Sequence, residues 1–362
     1  MSLAKSKRSS SSPIIQIGGR AVGLECPPLL LPDIGTFFNS NVEEAIVLID
    51  SLIDQGVEII KGEILHDPSI CLDDGTLESY YSPKSGLMVE ERYRDLIERK
   101  VVSLDDYDRI FRHCRNRELA FVLSVYDFAG ADFALQSGAA ALKVASSNIV
   151  HEPLIRYLAN TRKPLVIDTG RSTMDEIDRA LSWARSSGAE DIILEHSPPP
   201  PPAPVEHQNI RILDTFADKF DCLTALSDHH SGPEMLYAAA ARGVSLLEKG
   251  VCSDDKEDDQ DVAHALRVSD FSEVNRVCQT IYSGIGVGEL PPVKKKKTSR
   301  MGLVAAKNLS EGEYVSSESV SYAFPALGIP VEYWSRVNGS RITKSVEAGK
   351  PLEWDHVDDT TA

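Results

Sequence analysis

PLVIDTGRSTMDEIDRALSWARSSGAEDIILEHS, residues 164–197, holds a complete strand–helix–strand unit. Leu165 to Ile167 are apolar without alternation, the pattern of a parallel strand covered on both faces. Ser172 and Thr173 offer N-cap oxygens, and Asp175 and Glu176 put negative charge in the first helical turn, where the helix dipole favours it. Gly188 closes the helix. Ile192 to Leu194 then open a second apolar run, which ends, like the first, in polar residues.

The same punctuation recurs outward in both directions. Apolar runs stand at LLLPDIG (29–35), VEIIKGE (57–63), AFVLSVYD (120–127), AALKVAS (140–146), CLTALSD (222–228) and VSLLEKG (244–250), making eight with the two above. Helical stretches separate them: NVEEAIVLIDSLIDQG puts Val42, Ala45, Ile46, Ile49, Leu52 and Ile53 on one face, and GADFALQSG and SGPEMLYAAAARG each close on glycine. Eight such repeats predict an α/β fold of the (β/α)8 TIM-barrel type over residues 14–288. A doubly wound open sheet stays as the alternative, because sequence does not record closure. IIQIGGRAVGLE predicts a hairpin before the barrel. Residues 80–99 read as an insertion over the C-terminal mouth, followed by a helix from about Leu104 to Arg117. Residues 1–13 are expected to be disordered, 289–299 to be a Pro- and Lys-rich linker, and 300–358 to be a small β-rich domain of short strands and glycine turns.

The 362 residues carry a formal charge of −17, which argues against a nucleic-acid or anionic-membrane surface. No run of about 18 apolar residues could span a bilayer. The six cysteines show no C-x-x-C spacing, so a reducing, cytoplasmic setting is the simplest expectation. The proline run from Pro198 to Pro202 reads as a stiff loop at the mouth.

In a β/α barrel, polar residues at the strand C-termini face the active site. They are Asp33, Lys61, Ser124, Tyr126, Lys143, Ser146, Asp168, His196, Ser227, Asp228, His229, Glu248 and Lys249. Lys61 and Lys143 end otherwise apolar strands, and a buried lysine without a partner is costly, so both point to a phosphate- or carboxylate-bearing ligand. A Schiff-base lysine is the competing chemistry. The acids and His229 suit acid–base work or a metal. Asp33 and Asp168 could instead cap helices, and His196 and His229 could be satisfied loop residues.

Taken in order, these residues resemble the sialic acid (N-acetylneuraminate) synthase family. The likeness runs from about Ile14 to Val357 through IGGRAVG, PDIG, IIKGE, KVASSNIVHEPLIRYLA, DTG, SDHH and LLEKG. LVAAKNLSEGE and FPALGI are similar to the family's antifreeze-like (SAF) domain. The spore-coat polysaccharide biosynthesis protein E branch is the part of the family it most resembles. The resemblance implies a cytoplasmic transferase of surface polysaccharide biosynthesis. It would join phosphoenolpyruvate to the open-chain aldehyde of an amino sugar or related sugar, giving a nonulosonic acid and phosphate. A divalent metal, manganese or magnesium, would orient the aldehyde, and a domain-swapped homodimer would place each tail domain over the partner's barrel.

Residue by residue, the resemblance assigns Lys61 and Lys143 to phosphoenolpyruvate, with Ser146 and Ser227 as hydroxyl donors; Ser124, a strand-end hydroxyl, is expected to bind substrate with them. Asp33 matches the acid of the family's E-I-G motif, a base for water. Asp261 matches the acid of G-P-D-H, His229 the metal histidine of S-D-H-T, and Glu248 the acid of E-K-H-F, counted with the catalytic groups. The second metal histidine of that last motif is Gly250 here. Asn148 stands where a sugar-recognising Glu is expected, Asp168 replaces a Ser, the proline run replaces an Asn and a Tyr, and Ala323-Phe324-Pro325-Ala326 replaces K-R-P-G, whose arginine contacts the amino sugar. The anion half of the site is thus better kept than the metal and sugar halves. A degenerate, non-catalytic barrel that binds an anionic metabolite or a pathway partner is the second reading.

Overall fold

The computed structural model describes residues 13–35, 37–198, 202–257, 261–286, 289–290 and 297–358. The expectations for residues 1–12, for most of the linker with its lysines, and for Pro199 to Pro201 lie outside the described residues. The chain divides into two compact units, residues 1–287 and 288–362.

The first unit opens with a hairpin, β1 (Ile14–Ile17) and β2 (Arg20–Gly23). The barrel strands follow, with a second hairpin among them: β3 (Leu29–Asp33), β4 (Ile59–Ile64), hairpin strands β5 (Leu77–Ser82) and β6 (Leu87–Arg92), then β7 (Ala120–Val125), β8 (Ala141–Val144), β9 (Leu165–Asp168), β10 (Ile192–His196), β11 (Leu223–Asp228) and β12 (Leu246–Cys252). β3, β4 and β7 to β12 pair in parallel, in sequence order. β12 also pairs with β3, which closes the ring and excludes the open sheet. The helices are α1 (Val42–Asp54), α2 (Tyr93–Lys100), α3 (Leu104–Asn116), α4 (Phe128–Ser137), α5 (Glu152–Asn160), α6 (Met174–Ser186), α7 (Ile212–Phe220), α8 (Glu234–Ala241) and α9 (Phe271–Ile285). Thr173 caps α6 and forms a capping box with Glu176, as the opening stretch predicts. The expected insertion at 80–99 is the β5–β6 hairpin followed by α2.

Two apolar layers hold this unit together. The larger lies between the barrel wall and the helices, where Ile60, Leu123, Leu142, Ile167, Leu194, Leu226 and Leu247 meet residues such as Ile49, Phe111, Leu158 and Leu181. The smaller fills the barrel. Leu29, Leu31, Ile59, Val122, Val166, Ile193, Leu223 and Leu246 point inward, and Ile15, Ile17 and Val22 of the first hairpin join them. That hairpin plugs the N-terminal end and needs a glycine to seat. A Cβ on Gly18 would stand 2.4 Å from the Ala120 Cβ, and its φ of +57° is one that L side chains rarely adopt. With the bottom filled, the barrel interior opens toward the strand C-termini among the described residues.

The second unit is small. β14 (Gly302–Ala305) pairs antiparallel with β15 (Val320–Ala323); β13 is a two-residue strand, Leu266–Arg267, beside β12 in the first unit. Leu303, Leu309, Val315, Ile329, Val337, Ile342, Val346 and Leu352 form its core. Isolated bridges such as Leu309–Val346 and Ile342–Val357 replace longer ladders, in keeping with the short-strand expectation.

Candidate functional site

Side chains alternate in and out along each barrel strand, and the upper inward layer is ionic. On β4, Ile59 faces in, then Lys61, then Glu63. On β8 Ala141 precedes Lys143, on β9 Val166 precedes Asp168, and on β10 Ile193 precedes Glu195. On β12 Leu246, Glu248 and Gly250 take the inward positions. The register sets neighbours side by side: Asp33 opposite Lys61, Glu63 opposite Ser124, Ser124 opposite Lys143, Asp168 opposite Glu195, and Ser227 opposite Glu248.

Two ammoniums therefore sit among five carboxyls. Lys61 Nζ lies 2.7 Å from Asp33 Oδ2, 2.7 Å from Glu63 Oε1 and 3.8 Å from Glu248 Oε1. Lys143 Nζ lies 2.6 Å from Glu248 Oε1, 2.6 Å from Glu195 Oε2 and 3.3 Å from Asp168 Oδ2. Ser227 donates to Glu248 at 3.2 Å and Tyr126 to Glu63 at 3.0 Å. The satisfaction is incomplete. Glu195 meets Lys143 off the direction of a hydrogen bond, and its Oε1, Glu248 Oε2 and the Ser124 hydroxyl have no hydrogen-bond partner. Buried polar atoms left in this state are costly, and water, an ion or catalytic use accounts for such atoms in folded proteins.

The charge balance is correspondingly uneven. Burial pushes the Glu195 carboxyl up to about 8, with the Glu248 charge adding to the effect. Burial likewise raises Asp33 to about 7 against the pull of Lys61, helped by the negative charges of Glu248 and Glu63. Burial also opposes ionisation of Glu248, but Lys143 and Lys61 outweigh it and hold that carboxyl down at about 2. The carboxylates raise both lysines well above their ordinary value although burial acts the other way. One group near 7 and one near 8 beside a firmly ionised carboxylate is an arrangement able to store and deliver protons at neutral pH.

The cavity above this layer measures ≈ 200 Å³. Of the residues expected at the site, Asp33, Lys61, Ser124, Lys143, Ser146, Ser227, His229, Glu248 and Asp261 all line it. Asn148 does not. Its side-chain amide donates to the carbonyls of Val125 and Tyr126 at 3.3 and 3.2 Å, tying down the end of β7. Three strand-end residues also face the wrong way for a mouth. His196 turns out toward α7, with Nε2 at 2.8 Å from the Gln208 carbonyl. Asp228 and Lys249 pair with each other at 2.8 Å, fully buried outside the ring. A second cavity, ≈ 470 Å³, shares Ser146, Ser147, Ser197 and His229 with the first and adds Arg171, Ser172 and Glu176.

Glu63, Glu195 and His264 belong to the site but were missed in the sequence. The two acids lie in phase with Lys61 and with Ile193, two residues along the same strands, which is the signal that could have found them. His264 ends a single 3-10 turn, Val262–His264, where no strand phase exists. It is buried, it lines the cavity, and burial holds its imidazole well below the usual histidine range.

No cluster of three or more His, Cys, Asp or Glu able to hold a metal occurs among the described residues. A two-imidazole arrangement does occur. His229 and His264 stand edge to face with ring centroids 5.0 Å apart. The Pro198 carbonyl lies 3.2 Å from His229 Nδ1; a carbonyl only accepts, so Nδ1 is the donor there and Nε2 is the nitrogen left to face a ligand. His264 Nδ1 is a buried nitrogen without a partner. These groups fit a divalent ion that completes its coordination with water or substrate. All six cysteines are free. No helix among the described residues is long and apolar enough to cross a membrane.

Comparison with known proteins follows the same division of the chain. Residues 48–289 match the NeuB family and residues 300–358 the SAF domain. An uncharacterized protein of Methanocaldococcus jannaschii is 25% identical over 94% of this chain and 98% of its own. The N,N'-diacetyllegionaminic acid synthase of Campylobacter jejuni is 23% identical over 88% of this chain and 96% of its own. Among solved structures, spore coat polysaccharide biosynthesis protein SpsE of Bacillus subtilis superposes with a TM-score of 0.65 at 20% identity, covering 96% of this chain and 99% of that one.

Proposed function

The chain belongs to the NeuB family, and on that premise we propose that it condenses phosphoenolpyruvate with a sugar aldehyde to give a nonulosonic acid and inorganic phosphate. The observation that carries this reading is the pair of buried lysines, Lys61 and Lys143, set with Asp33, Ser227 and Glu248 around one cavity at the strand C-termini. An adjoining cavity, where Ser146, Ser147, Ser172, Ser197, Arg171 and Glu176 stand among apolar neighbours, offers room for the second substrate.

In this reading, the enol carbon of phosphoenolpyruvate bonds to the aldehyde carbon and the aldehyde oxygen takes a proton. Water adds to the cationic C2 carbon, loses a proton, and phosphate leaves. Lys61 and Lys143 hold the carboxylate and phosphate by charge-assisted hydrogen bonds. A buried carboxyl of raised proton affinity can surrender a lysine to an incoming anion by taking up a proton, and Glu195 is the one so tuned. Asp33, as the carboxylate, takes the proton of the attacking water in this reading. A divalent metal, when bound, would polarise the aldehyde oxygen; His229 and His264 would hold it. A homodimer in which each tail domain caps the partner's barrel completes the proposal. Exposed Phe324 would then stand where the resemblance expects an arginine.

The test is direct. The protein is incubated with phosphoenolpyruvate, Mn²⁺ or Mg²⁺ and a panel of aldoses and amino sugars, and released phosphate is followed. No release with any sugar at any metal concentration rejects the reading. The second reading, a binding protein without turnover, draws support from the five carboxyls that already engage both lysines. Calorimetry showing phosphoenolpyruvate binding without phosphate release would favour it.

A further inference from the structure

Gly250 leaves the expected metal centre one imidazole short, and the structure explains why a side chain cannot return there. A Cβ on Gly250 would meet Phe37 Cζ at 2.9 Å and Cε2 at 3.2 Å. Phe37 is itself fixed in a small apolar cluster with Cys252, Val262 and Ala265. The aromatic ring occupies the space that a histidine on β12 would need.

The same cluster carries His264 to the other side of the gap. Val262 packs on Phe37 and Cys252, and the 3-10 turn that it begins ends two residues later at His264. The turn is held by the His264 amide donating to the Asp261 carbonyl at 3.2 Å. Its imidazole is 4% exposed, stands edge to face with His229 at 5.0 Å between centroids, and leaves Nδ1 unpartnered. A buried imidazole nitrogen without a hydrogen bond is a standing cost in a purely structural role. Two imidazoles on one ion at about 2.0–2.2 Å per bond bring their rings to about this separation.

We propose that His264 is the second protein ligand of a divalent metal centre with His229, a replacement for the side chain lost at Gly250. The inference deepens the proposed function and rests on it for the purpose of the metal. The ion class is a borderline divalent metal such as Mn²⁺ or Co²⁺, for which imidazole is a suitable ligand. The exchange is physically coherent: Phe37 fills the β12 position, and the loop that anchors Phe37 supplies the imidazole instead. His230 is not the replacement, because Glu234 lies 3.4 Å from its ring and its amide is tied to Asp228.

Metal binding, read without turnover, tests the proposal. Calorimetry with Mn²⁺, and the visible spectrum and ligand-nitrogen couplings of the Co²⁺- or Mn²⁺-loaded full chain, are measured for the wild type, His264→Gln, His229→Gln and His230→Gln. The expected result is one ion per chain with two imidazole nitrogens in the wild type. His264→Gln and His229→Gln should each lose more than about tenfold in affinity, and His230→Gln should match the wild type. A wild-type spectrum with one imidazole or none, an affinity that survives His264→Gln, or no metal binding at all overturns the inference. The imidazole count needs no variant, so misfolding of His264→Gln does not blunt the test. Two imidazoles on the metal without phosphate release from any sugar would sink the proposed function and leave this inference standing. Phosphate release with metal affinity unchanged in His264→Gln would do the reverse.

Discussion

Asp228 and Lys249 lie next to Ser227 and Glu248 in the chain, yet the two sets of neighbours face opposite sides of the barrel wall. Outside, one lysine meets one carboxylate at 2.8 Å. The Gly232 carbonyl, at 3.2 Å, and the His230 carbonyl take the remaining protons of Lys249, while Asp228 accepts the His230 amide at 2.8 Å. Inside, two lysines share five carboxyls, and several oxygens have no hydrogen-bond partner. Burial draws the outer lysine below its ordinary value, whereas the inner pair is driven well above. The contrast separates two uses of a buried charge. A matched pair with every donor used locks the loop after β11 to β12; an unmatched set with spare acceptors leaves its ion pairs and protons free to rearrange.

The outer pair should break hardest. Lys249→Met leaves Asp228 buried without its cation, and a loss of about 3–5 kcal/mol is expected in urea unfolding. A loss under about 1 kcal/mol would mean that the two regions do not differ as argued. On the inner side, Lys143→Met should cost less stability, because the carboxyls it frees can take up protons. Phosphate release should fall by roughly 10²–10³-fold, the scale for removing one charge-stabilising donor.

Smaller effects sharpen the inner site. The pKa of Asp33 near 7 predicts an activity that climbs with pH through about 7, as the carboxyl loses its proton and becomes a base. Asp33→Asn should remove that climb together with most of the rate; a rate–pH profile that keeps the climb rules Asp33 out as the base. Glu195 gives the gentlest readout. Its carboxyl is raised from 4.5 to about 8, so between those values the folded chain keeps a proton that the unfolded chain releases. Stability should therefore fall as pH rises across that window, by up to about 1.4 kcal/mol per unit. Glu195→Gln, which mimics the protonated form, should flatten the fall when unfolding is compared at pH 5 and pH 8.

Much of this was legible before any coordinates. The eight apolar runs mark the eight barrel strands, six of them trimmed by one to three residues and two, β4 and β12, shifted by one or two residues toward the C-terminus, because β/α repeats carry strong local signals in caps, glycine stops and period. Nine of the ten residues named for the site line the inner cavity. The exception, Asn148, sits on a short turn whose direction depends on how β7 ends. The inward phase was harder to read. A strand buried on both faces shows no alternation of polarity, so Glu248 and Lys249 look equally suited to the mouth, and Glu63 and Glu195 do not stand out.

The sequence by itself determined the strand and helix order, the hairpin that precedes the barrel, the family resemblance and the two lysines at strand ends, since these rest on local propensity and on residues that are costly to bury unpaired. Tertiary structure alone decided that β12 returns to β3, that Lys249 turns outward, that five carboxyls crowd two ammoniums, and that Phe37 fills the space over Gly250 while His264 comes to His229. Each of those joins residues tens or hundreds of positions apart. Only closure of the ring brings them within a few ångströms, where burial and charge can act.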